Sequence, residues 1–196
     1  MLEQFCDLAS GDIVVQNGAN SKVGRYVIQL ARSKGLKTIN IVRERDDWDD
    51  TVQSLENIGA DLVSTPKNVR EDAKSAGLPP PKLALNCVGG ETATTMAKML
   101  APGGTLVTYG GMGREPVSVP TPLFIFRNIR LRGFWISGLV AESGDTAKKR
   151  ELLDRLSRLV LDGVIKLDEV VEVPFAEWRK AFTPGAKGKF LLTMSD

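Results

Sequence analysis

The stretch "QNGANSKVG", residues 16–24, puts small side chains, a hydroxyl and a lysine into one short turn between an apolar run and a helix-like segment. That combination suits a phosphate. Small side chains let backbone approach the ligand, and free N–H groups at a helix N-terminus favour an anion. Counting back from Gly24, the positions where G-x-G-x-x-G has glycine hold Ala19 and Ser21. These are the smallest residues after glycine, so the turn stays open, though less tolerant of positive φ. Ser21 can also cap the helix and donate to a phosphate oxygen, and Lys22 adds positive charge. The competing reading is an ordinary βα turn.

A second cluster selects among dinucleotides. Binders of the unphosphorylated form place an acid at the end of the second strand, against the ribose hydroxyls. Here "IVRER" sets Arg43 directly after Val42, with Arg45 close by. Guanidinium groups there suit a 2′-phosphate, through charge-assisted bonds of roughly 1.5–3 kcal/mol each. The expected cofactor is NADPH. A solvated Arg-Glu-Arg loop is the alternative, and Glu44 could contact ribose, which keeps NADH open. Two glycine-bearing strand ends follow, "NCVGG" (86–90) and "YGGMG" (109–113). They fall where an open α/β sheet binds its ligand, and plain turn chemistry explains them equally well in the first case.

Composition narrows the classes. The 196 residues suffice for one sizeable core, with 42% hydrophobic and 26% charged residues as in an ordinary globular protein. A formal net charge of +2 gives no reason to expect nucleic acid or a membrane surface as partner, and no apolar run is long enough to span a bilayer. There is no histidine, which removes Ser-His-Asp and Cys-His catalysis and the commonest zinc ligand. The two cysteines, Cys6 and Cys87, have no metal-ligand spacing, so no metal site is expected.

The elements that must position these residues alternate. Ile13–Val15 is a buried strand, 21–34 an amphipathic helix closed by Gly35, and Thr38–Val42 the second strand. Helix 48–58, strand 61–63, a weak helix 67–76, strand 83–88, helix 91–100 and strand 105–109 follow. Further expectations are a strand over 129–136, a strong helix over 146–161, a helix near 177–182 and a last strand at 190–192. Met1–Leu8 reads as the last turns of a helix with no start signal, as if a segment preceded it. The alternation predicts an α/β fold, a doubly wound parallel sheet with helices on both faces.

At the level of motifs, "NGANSKVG", "TINIVRER", "LALNCVGG", "GGTLVTYGGM", "LRGFWIS" and "KFLLTM" together resemble the Rossmann-like cofactor domain of medium-chain dehydrogenases/reductases, and among these the mitochondrial trans-2-enoyl-thioester reductases. The resemblance covers nearly the whole chain. It implies one NADPH-binding domain over 1–196, with a barrel-like (GroES-like) catalytic domain outside this sequence and 190–196 as a remnant strand of it. It implies that Asn20, Ser21, Lys22 and Val23 hold the pyrophosphate, and Arg43, Glu44 and Arg45 the adenosine phosphate end. Tyr109, Gly110, Gly111 and Met112 would lie along the nicotinamide half, Phe134, Trp135 and Ile136 would wall the cleft, and Lys189 would touch the cofactor. Read from the residues alone, Trp135 is as well a core residue and Lys189 a solvated strand end. The family usually has glycine where Lys22 stands.

The resemblance further implies zinc-independent reduction of an enoyl-CoA or enoyl-ACP substrate in mitochondrial fatty acid synthesis, a matrix location and a homodimer. The substrate-protonating tyrosine of the family matches neither Tyr26 nor Tyr109, so no catalytic residue is expected in this chain. The alternatives are a non-catalytic short isoform that binds NADPH or a protein partner, and a quinone or alkenal reductase, whose first turn typically shows "GGVG" where "SKVG" stands here.

Overall fold

A computed structural model of the chain describes residues 1–138, 146–167, 170–183 and 189–194. Two compact units emerge, Met1–Ile165 and Lys166–Asp196. The first is built on strands β1 (Ile13–Asn17), β2 (Lys37–Ile41), β3 (Leu62–Ser64), β4 (Leu83–Asn86), β5 (Thr105–Thr108) and β6 (Arg130–Gly133). They form one six-stranded sheet in the order β3-β2-β1-β4-β5-β6, parallel at every pairing. This is the doubly wound arrangement expected from the alternation. Helices α1 (Lys22–Ser33), α2 (Trp48–Asn57), α3 (Val69–Ser75), α4 (Gly90–Met99) and α5 (Thr121–Arg127) connect the strands, and α6 (Thr146–Leu161) follows β6.

The strands' alternating side chains separate two cores, as a period of two requires. Ile13, Val15, Ile39, Ile41, Ala84 and Leu106 point to one face, where Val69 and Ala73 of α3, Met96 and Ala97 of α4 and Leu123 of α5 pack. Val14, Leu83, Leu85 and Val107 point to the other, against Val27 and Ala31 of α1. The helices thus cover both faces of the sheet, α1 on one and α3, α4 and α5 on the other.

Several boundaries depart from the sequence expectations. Met1–Leu8 forms turns, not a helix. A short uncapped segment cannot offset nucleation, and Leu2, Phe5 and Leu8 are instead held by packing on the α1 face. Glu3 fastens this segment through bonds of 2.6 Å to both Lys34 and Arg155. The stretch between the strands expected at 105–109 and 129–136, to which the sequence pattern assigns no element, contains the helix α5, whose second residue is Pro122; proline is tolerated there because its missing N–H would be unpaired anyway. The strand expected over 129–136 stops at Gly133. Its partner β5 ends at Thr108, and the last rung is Phe134 N–H to Thr108 O, 3.0 Å.

The second unit pairs β7 (Val170–Pro174), which sequence reasoning missed, in parallel with β8 (Lys189–Thr193). Between them a 3₁₀ helix, Phe175–Phe182, stacks Trp178 edge-on to Phe182 with Arg179 over the indole.

Candidate functional site: a crevice at the reversal of strand order

Pairing between β1 and β4 ends at Gln16–Leu85. Beyond that point the two chains turn to helices on opposite faces, α1 and α4. Such a reversal opens a crevice at the carboxyl ends of the strands, where ligands bind in open α/β sheets.

The β1 wall depends on two glycines. Gly18 has φ +60° and turns the chain out of β1, a conformation that costs other residues dearly. Gly24 sits in α1 against the turn: a Cβ there would lie 2.5 Å from the carbonyl oxygen of Ala19. Its conformation is helical, so the requirement is close approach. Ser21 caps α1, its Oγ accepting the Gly24 N–H at 3.2 Å. No acidic residue occupies the first turn, which leaves the positive end of the helix dipole uncompensated. Gln16 stiffens the arrangement from below, donating to Gly24 O (3.0 Å) and Asn40 Oδ1 (2.8 Å).

A cavity of about 330 Å³ fills the crevice. Asn17, Gly18, Asn20 and Ser21 line it from β1, and Ile41, Val42, Arg43, Arg45 and Pro66 from the β2–β3 side. Cys87, Val88, Thr92, Met112 and Gly113 close it from β4 and β5. Arg43 and Arg45 are exposed, and among the described residues neither guanidinium has an acidic partner. One cavity therefore carries a capped helix N-terminus, two exposed guanidinium groups and apolar lining residues. Two kinds of anion-binding group beside apolar surface suit a phosphorylated nucleotide.

Of the residues singled out by sequence, the cavity gathers Asn20, Ser21, Arg43, Arg45 and Met112. Lys22 and Val23 lie in the first turn of α1 but do not line it, and Glu44 stands exposed between the arginines. Gly110 abuts Cys87, and Gly111 is exposed. Tyr109 and Phe134 pack against the α1-side core. The Tyr109 hydroxyl is buried without a hydrogen-bond partner of normal geometry; burial, then the neighbouring Cys87 thiol, push its ionisation above the usual phenol range. Trp135, which an apolar strand would bury, is 73% exposed, and Ile136 is exposed at the start of a helical turn. Lys189 opens β8 in the second unit, and its side chain lies outside the described residues.

Sequence reasoning missed Gly18, Pro66 and Thr92. Gly18 stands one place before the counted motif, and its signal was a glycine directly after a strand. Pro66 and Thr92 carry no signal of type or spacing.

A family model described as "Zinc-binding dehydrogenase" matches residues 23–158. The mitochondrial enoyl-[acyl-carrier-protein] reductase of Dictyostelium discoideum is 45% identical over 170 residues, 85% of this chain and 48% of that protein. Among solved structures, the Etr1p complex with NADP and crotonyl-CoA aligns at 32% identity and a TM-score of 0.78, over 89% of this chain and 50% of that one. The mitochondrial 2-enoyl thioester reductase Etr1p/Etr2p heterodimer from Candida tropicalis aligns equally well, over 89% and 50%. The chain spans about half the length of the curated relatives it matches. The family description names zinc, but these residues do not fit that metal. The chain has no histidine, and among the described residues no cysteine, aspartate and glutamate side chains cluster as ligands.

Proposed function

The chain belongs to the zinc-binding dehydrogenase family of medium-chain dehydrogenases/reductases, and on that premise we propose that it forms the NADPH-binding body of an enoyl-thioester reductase. The observation that carries this reading is that one cavity is lined both by the Ser21-capped N-terminus of α1 and by Arg43 and Arg45, two exposed guanidinium groups with no acidic partner among the described residues. In this reading the 18–21 turn and the N-terminus of α1 take the pyrophosphate, and Arg43 and Arg45 take the 2′-phosphate. Val88, Met112 and the glycines of 110–113 border the nicotinamide half. The bound cofactor supplies hydride to the β-carbon of a trans-2-enoyl thioester. The chain's own residues bind and orient it, and hold it against apolar walls that keep water away.

No residue here is assigned proton transfer. Tyr109 is held neutral by burial and does not line the cavity. Binding without efficient turnover is therefore expected of this chain alone. The relatives named above support a CoA or acyl-carrier-protein thioester over a quinone or alkenal, and their mitochondrial names support a matrix location. No helix among the described residues is long and apolar enough to cross a membrane. For quaternary structure, β6 is exposed at all four residues. An open strand edge of this kind suits pairing with a second copy across a two-fold axis, and a homodimer is part of the proposal.

Titration with NADPH and NADH tests the assignment. Arg43→Ala should weaken NADPH by about tenfold to a hundredfold, the worth of one charge-assisted bond, and leave NADH unchanged. Equal affinities for the two dinucleotides before and after the substitution would overturn it. Ordinary enzyme rates with a trans-2-enoyl thioester would overturn the expectation of binding without chemistry.

A further inference from the structure

Three turns must hold their spacing for the crevice to keep its shape, yet the backbone ladder between β1 and β4 stops one residue short of it. Beyond Gln16–Leu85 the strands are joined by side chains. Asn17 and Asn86, the last residues of β1 and β4, are both buried, and Asn17 Nδ2 donates to Asn86 Oδ1 at 2.8 Å. Asn86 Oδ1 also accepts the Gly89 N–H (3.0 Å) and the Val88 N–H (3.3 Å), and its Nδ2 donates to Thr108 Oγ1 at the end of β5 (3.1 Å). Asn17 Oδ1 returns to β4 by accepting the Cys87 N–H at 2.8 Å. Backbone N–H groups fix both amides' orientation, so oxygen and nitrogen cannot be exchanged.

We propose that Asn86 is a positioning residue for the cofactor, an amide that locks the turns after β1, β4 and β5 into one rigid floor. The inference rests on the NADPH reading of the crevice. Each partner starts a turn that reaches the cavity: Asn17 leads to Gly18, Asn20 and Ser21, Asn86 to Cys87 and Val88, and Thr108, across residues 109–111, to Met112 and Gly113. The last two segments are already joined by Met112 N–H to Cys87 O (2.9 Å) and Gly113 N–H to Val88 O (2.8 Å). The Asn17–Asn86 pair adds the phosphate turn to them. The chemistry also explains the residue type. An amide can accept from backbone N–H groups and donate to a hydroxyl at once. It does so without charge, whereas a carboxylate would set a negative group beneath the bound pyrophosphate.

The test is the dissociation constant of NADPH and of NADH, by fluorescence titration well below the melting temperature, for the unsubstituted chain, Asn86→Leu, Thr108→Val and Arg43→Ala. Asn86→Leu should weaken both dinucleotides by the same factor, roughly tenfold or more, and Thr108→Val by a smaller common factor. Amide hydrogen exchange in Asn86→Leu should quicken together at Val88, Gly89 and Ser21 while Val14 and Leu85 stay protected. A role in stability alone would lower the melting temperature and leave the affinity of the folded protein as it was; that result overturns the inference. Should Asn86→Leu not fold, unchanged affinity in Thr108→Val overturns it equally. Absence of binding by the unsubstituted chain overturns the cofactor reading and this inference with it. Tight binding that is lost only in Arg43→Ala overturns the positioning role alone.

Discussion

The crevice between β1 and β4 and the outer flank of α5 and β6 belong to one sheet but are finished differently. At the crevice, Gln16, Asn17, Asn40 and Asn86 are buried and bonded to one another or to turns. At the flank, Phe124, Ile125 and Phe126 of α5 and Leu131 of β6 face outward, Phe126 with 80% of its surface exposed. The contrast shows that the nucleotide end is finished with bonded polar side chains, whereas the flank carries apolar surface of the kind that marks an interface.

The comparison can be broken or sharpened by substitution, starting with the largest effect. Leu85→Ala empties a fully buried position of central strand β4 and should cost about 2–5 kcal/mol in urea unfolding. If it costs as little as a flank substitution, the sheet centre is not the stabilising core. Ser21→Ala removes the cap of α1 and should cost about 1 kcal/mol together with a measurable loss of dinucleotide affinity.

Glu3→Gln tests the fastening of the N-terminal segment. The Arg155 guanidinium first, and then Lys34, hold the Glu3 carboxyl down to about 2. A carboxyl depressed in the folded state stabilises above its ordinary value and loses that contribution as pH falls through the folded one. The difference in melting temperature between the two proteins should therefore be full at pH 7 and vanish near pH 2. With 44% of the Glu3 side chain exposed, screening keeps the effect to about 1 kcal/mol or less, a few degrees at most. Phe126→Ser should change stability by less than about 0.5 kcal/mol but reduce self-association in sedimentation. A large loss of stability there would mean that the flank is core after all.

How far the sequence disclosed this structure depends on whether the deciding force was local. The β1–turn–α1 unit was legible because a β-branched run, a capping serine and a retained glycine each act within a few residues. The sheet order followed from strand–helix alternation. Helix α5 was obscured because its apolar residues run consecutively, with no 3.6-residue period, and its hold on the core is a single buried side chain, Leu123. Strand β7 was missed because its stability comes from pairing with β8, a distant segment. At the site, Arg43 and Ser21 announced themselves by charge and capping. Pro66 and Thr92 reached the cavity only through the fold.

The parallel sheet has one more consequence. Every connection that follows a strand gathers at the nucleotide rim, and every connection that follows a helix gathers at the other. The link from α3 to β4 carries Gly77 at φ +64° with open space around it, then a run of prolines. A fluorophore or peptide tag spliced in there would stand at the opposite end of the strands from the nucleotide, a fixed handle for watching the protein unfold while ligand occupancy is varied independently.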